Sequence, residues 1–66
     1  MITVYDAVAI TDGVVFILST EPSSIAAQSV IAEEATLEQS GDVTFDVFDY
    51  EVDFDSFEEF ESASMG

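Results

Sequence analysis

The chain has 66 residues and carries 15 Asp and Glu with no Lys, Arg or His, giving a formal net charge of −15. An average domain of this length holds roughly eight basic residues, so this surface is of one sign. That excludes phosphate-directed nucleic-acid binding, which depends on Lys and Arg releasing counterions. It also leaves no His, Cys, Lys or Arg to serve as base, nucleophile or anion stabiliser, so catalysis is not expected.

High net charge with low hydrophobicity would mark a disordered tail, but 48% of the residues are apolar, six of them Phe. The chain is therefore expected to fold, as a single small domain over residues 1–66. A domain of this size buries only about 60% of its unfolded surface, and without Cys it has no disulfide or thiolate metal site to staple it. Salt screening or dimerisation is left to supply what the core lacks. The longest uninterrupted apolar run, Val14 to Leu18, is far shorter than a membrane span, and no basic start marks a signal peptide. Anionic lipid head groups would repel the surface.

The first elements read as a hairpin, because Ile2 to Ile10 and Val14 to Leu18 flank Asp12-Gly13, a dipeptide suited to a two-residue type I′ turn. Pairing Thr11 with Val14 sets Val8 and Ile10 beside Ile17 and Val15 on one face. Ala7 and Ala9 then lie beside Leu18 and Phe16 on the other. Apolar on both faces, the second strand is expected to be buried at the centre of the sheet, with a helix over at least one face.

Thr20-Glu21-Pro22-Ser23-Ser24 reads as a helix start, with Pro tolerated in the first turn, hydroxyls to cap, and Glu21 favourable against the dipole. The helix runs through Ile25, Ala26, Ala27, Val30 and Ile31. Residues 35–39 either continue it to Leu37 or form a short strand that turns at Ser40-Gly41-Asp42.

Asp42 to Glu61 holds nine of the 15 acids and five of the six Phe. Val43, Phe45 and Val47 alternate in one phase, and Phe48, Tyr50, Val52 and Phe54 in the other. If one face stays buried, the slip at Val47-Phe48 requires a β-bulge. Asp49, Glu51, Asp53 and Asp55 then form a row opposite the aromatic residues, about 6.6 to 6.8 Å apart. Neighbouring phosphates of a nucleic acid strand rise about 3.4 Å along the axis and stand further apart through space. Asp55-Ser56-Phe57-Glu58 predicts a short acidic helix from Ser56, with Phe57 and Phe60 on its inner face and Glu58, Glu59 and Glu61 extending the anionic surface. The expected architecture is α+β: a small antiparallel sheet, made of the N-terminal hairpin and a long acidic strand, packed against one main helix, with a short C-terminal helix.

Calcium would draw on the same carboxylates, but the EF-hand pattern fails. With Asp49 in first position, Phe54 stands where Gly is required and Phe60 where the bidentate Glu is required. No dedicated metal site and no cofactor is expected. An acidic strand face is commonly just a solvated face, yet such faces normally mix charges of both signs.

In its composition and in the Asp42 to Glu61 segment, the chain resembles the small, very acidic inhibitors that phages and mobile elements direct against host nucleic-acid machinery. These include DNA-mimicking anti-CRISPR proteins, anti-restriction proteins and inhibitors of uracil-DNA glycosylase. The resemblance implies a stoichiometric inhibitor acting in a host bacterial cytoplasm, with an anti-CRISPR role favoured for so short a chain. Asp46, Asp49, Glu51, Asp53, Asp55, Glu58, Glu59 and Glu61 would pair with Lys and Arg of a DNA-binding cleft, the inhibitor being a monomer or homodimer. The alternative is a halophilic structural or adaptor domain whose acids serve hydration. Six acids in the first 41 residues against nine in the next 20 favour a binding face over uniform salt adaptation.

Overall fold

Asp12 and Gly13 adopt φ angles of 52° and 77°, as a type I′ turn demands, and they join β1 (Ile2–Thr11) to β2 (Val14–Glu21) as the expected hairpin. The structure, a computed structural model, describes residues 1–38 and 41–65. After β2 come α1 (Ser24–Leu37), β3 (Thr44–Val52) and α2 (Phe57–Met65). The three strands form one antiparallel sheet in the order β2-β1-β3, so the α+β architecture is as expected.

Contrary to expectation, the central strand is β1 and not β2. From β2 the chain crosses through α1 and returns to pair β3 with the free edge of β1, in unbroken register from Ile2 opposite Val52 to Ile10 opposite Thr44. β2 is left as an edge, and Val14, Val15, Phe16 and Ile17, read as a buried run, are exposed. The core lies along β1 instead: Val4, Ala7 and Val8 are fully buried, Ala9 nearly so, and Ala27 is the buried residue of α1. Small side chains at Ala7, Ala9 and Ala27 let helix and sheet approach closely, which makes β1 the better centre.

α1 covers the face bearing Ala9, Phe16, Leu18, Val43 and Phe45, and with Glu34, Leu37 and Glu38 these line an open groove of about 270 Å³. Ser23 caps the helix by accepting from the Ala26 N–H at 3.2 Å. Glu21 belongs to β2 and Pro22 precedes the cap, so the helix starts later than the sequence reading placed it, and its first turn holds no acid. It continues to Leu37 with Glu38 as C-cap; of the alternative strand over 35–39, Gln39 lies outside the described residues, as does Ser40 of the expected turn.

The bulge expected at Val47-Phe48 is absent. It was inferred on the premise that one face of β3 is buried throughout. In fact Val43 and Phe45 lie on the α1 side, whereas Phe48 and Tyr50 point to the other face, so both phases serve without a slip. A register shift occurs in the other ladder: Val8 is opposite Ile17 but Ala7 is opposite Ser19. Leu18 is the extra residue, in place of the expected Ala7–Leu18 pair, and the bulge keeps it on the α1 side with Phe16.

One acid is structural. Asp6, 6% exposed in the middle of β1, accepts from the Thr20 hydroxyl at 2.6 Å and from the Tyr50 hydroxyl at 3.4 Å. Thr20 is its cross-strand partner on β2 and Tyr50 its diagonal neighbour on β3. A buried carboxylate requires such donors, and with no basic side chain in the chain two hydroxyls supply them here. Among the described residues no helix is long and apolar enough to cross a membrane.

Candidate protein-binding surface

Each acid singled out in the sequence is exposed, but they do not form one row. The unbroken β1–β3 register places Asp49 opposite Tyr5 and Glu51 opposite Thr3, on the side opposite Phe48 and Tyr50, as the alternation requires. Asp46 stands opposite Val8 and so shares the aromatic face. One Asp46 carboxylate oxygen accepts from the Val47 N–H at 2.8 Å.

β3 ends at Val52, so the expected four-rung ladder has only two rungs on the strand. Asp53 and Asp55 lie in the bend between β3 and α2, where the Phe54 N–H donates to the Val52 carbonyl at 3.0 Å. They extend the charge around the end of the sheet.

α2 begins one residue later than expected. Its cap is Ser56, which accepts from the Glu59 N–H at 3.2 Å, so Ser56 and Glu59 carry the S-x-x-E spacing that Asp55 and Glu58 were thought to supply. Glu58 and Glu59 occupy the first turn, where the helix dipole favours negative charge. Phe60 packs edge-on against Phe54, with centroids 5.7 Å apart, and against Phe57 at 5.8 Å. This cluster fixes the inner face of α2 and turns Glu58, Glu59 and Glu61 to solvent.

The sequence reading missed Glu21. In register with Tyr5, it lies on the same face as Asp49, the two flanking Tyr5 across the sheet. The Ser19 hydroxyl donates to Glu21. Assigning Glu21 to the helix start hid this; the hairpin register, followed three residues further with one bulge, would have shown it. The resulting surface holds Glu21, Asp49 and Glu51 on the sheet, Asp53 and Asp55 at the bend, and Glu58, Glu59 and Glu61 on the helix.

Chemically the surface offers carboxylate acceptors and no donor cation. Among the described residues no group of three or more carboxylates is placed to hold a metal ion. No family model matches the chain, nor does any curated protein or solved structure.

Proposed function

We propose that this protein is a non-catalytic inhibitor that presents DNA-like charge to the basic cleft of a nucleic-acid-binding protein, with a CRISPR effector complex as the favoured target. The observation that carries the reading is the run of exposed carboxylates from Asp49 through Asp53, Asp55, Glu58 and Glu59 to Glu61, held on a strand end and a helix with no cationic side chain in the chain. Such a field accelerates encounter with a positive surface and discriminates against anionic ones. Pairs desolvated in the cleft contribute about 1.5 to 7 kcal/mol in coupling, rim pairs much less. Asp46, on the other side of the sheet, is expected to contribute least of the strand acids.

The test is affinity capture at about 0.1 M salt, where exposed charges act over roughly 10 Å. The bait is the native chain beside an Asp49→Asn, Glu51→Gln, Asp53→Asn variant, in a lysate containing CRISPR effectors. Recovery of an effector by the native chain alone, with release by added DNA, supports mimicry. Equal recovery by the variant removes these residues from the site. If nothing is retained and folding requires molar salt, the halophilic reading replaces this one.

A further inference from the structure

One face of the sheet lies under α1. On the other, Val15 and Ile17 of β2 are 47% and 64% exposed, and Phe48 and Tyr50 of β3 are 43% and 42% exposed. Between these two ridges runs β1, whose Val4 and Val8 are fully buried, so the face is a shallow apolar trough. For all the chain's net charge of −15, the strands place on this face only the buried Asp6 and the exposed Asp46 of β3. The remaining acids of the sheet, Glu21, Asp49 and Glu51, are on the other side.

From this segregation we infer that the face turned away from α1 is the interface of a two-fold homodimer, in which two sheets pack face to face. A cationic partner would be served by carboxylates here, and they are elsewhere; the surface that is nearly free of charge suits a surface equally free of charge. Size argues the same way. The four side chains expose on the order of 400 Å², and half-buried Ile2, Ile10 and Val52 raise this to on the order of 500 Å² per copy, the size of the largest and often functional apolar patch on a monomer. Two copies would bury about 1,000 Å², the lower bound of a specific interface. Among the described residues of one copy, no fully buried side chain is larger than Val4 and Val8, and small domains without disulfide or metal are commonly completed by association. In an isologous contact the ridge of one copy fills the trough of the other. Each copy brings its own charge of −15, so this dimer tightens as salt rises, whereas binding to a basic cleft weakens.

Sedimentation equilibrium of the full chain at about 0.05 M and 0.5 M NaCl tests this. The expected result is a mass approaching twice 7.1 kDa at the higher salt, with a dissociation constant lower than at the lower salt. Ile17→Thr with Phe48→Thr should raise that constant about tenfold or more, with the circular dichroism spectrum retained. Phe16→Thr, at a site 52% exposed on the α1 side, should leave it unchanged. Should the double variant not fold, the absence of Cys from the chain provides a second route: Ile17→Cys should cross-link under oxidation far faster than Phe16→Cys. A monomer at both salts, or equal effects at Phe16 and Ile17, overturns the assignment. Either result leaves the capture experiment above unaffected.

Discussion

Thr20→Val is expected to lower the stability of the fold by about 1.5 to 3 kcal/mol, the range for a hydrogen bond to a charged group. The substitution conserves shape and strand propensity but withdraws the shorter of the two hydroxyl bonds to Asp6, leaving the Tyr50 bond at 3.4 Å, near the limit of useful geometry. It is a cleaner probe than removing Asp6. Asp6 lies diagonal to Asp46 on the same face, about 7 to 8 Å away. That repulsion is about 0.5 kcal/mol in water and about 2 kcal/mol at an effective dielectric of 20. Deleting Asp6 would therefore lose two hydrogen bonds and relieve a repulsion of similar size, whereas Thr20→Val leaves every charge in place. A domain of this length has about 3 to 10 kcal/mol of stability in total, and with a urea m-value near 1 kcal/mol/M the midpoint should fall by about 1.5 to 3 M. The loss should persist in about 0.5 M NaCl, since a contact this short is scarcely screened. A midpoint within about 0.3 M of wild type would show that the Asp6 carboxylate does not depend on Thr20.

Three further outcomes follow from the same geometry. The Tyr50 hydroxyl holds its proton above the usual tyrosine range through burial first, then the charge of Asp6 and the bond to it. Its contribution is thus fully present below the unfolded value of about 10 and lost as pH rises through the folded one, so Tyr50→Phe should flatten the decline in melting temperature between pH 9 and 11; parallel curves would exclude Tyr50 as the cause. Gly13→Ala meets no atom within 4 Å, so its effect is the φ of 77° alone, about 1 to 2 kcal/mol and several degrees in Tm. A thermal melt unchanged by the substitution would refute that turn geometry. Because carboxylates here have no cationic side chains to pair with, added NaCl should raise Tm steadily from about 0.02 to 0.5 M, and a flat or falling Tm would mean that repulsion is not significant in the fold.

The elements were legible in the residues because each has a local signal: Asp12-Gly13 for the hairpin, Ser23 before an Ala-rich run for α1, alternation from Phe45 to Val52 for β3, and paired Phe57 and Phe60 for α2. What was not legible is long-range. Val14 to Leu18 is the most apolar run and was assigned the centre, but centrality depends on where β3 pairs, and no local feature encodes that choice. The Val47-Phe48 slip was read as a bulge because one buried face was assumed for the whole strand, when α1 covers only part of it. Of the candidate surface, the exposure of the acids was readable; their division between two faces, with Asp46 apart from Asp49 and Glu51, and the addition of Glu21, required the register.

The strand order also has a consequence for how the chain acquires its shape. β1 is made first, and its partner β2 follows across a two-residue turn, but the other ladder joins Ile2 to Val52. Contacts that distant in sequence form late. During synthesis the strand that becomes the centre of the sheet therefore waits with one edge bare, beside a hairpin whose Val14 to Ile17 segment is already apolar and exposed. Two such nascent chains could zip together along those edges. Like charge on every copy opposes that encounter at long range: six acids stand in the first 41 residues, and the nine that follow strengthen the repulsion as β3 arrives to close the sheet.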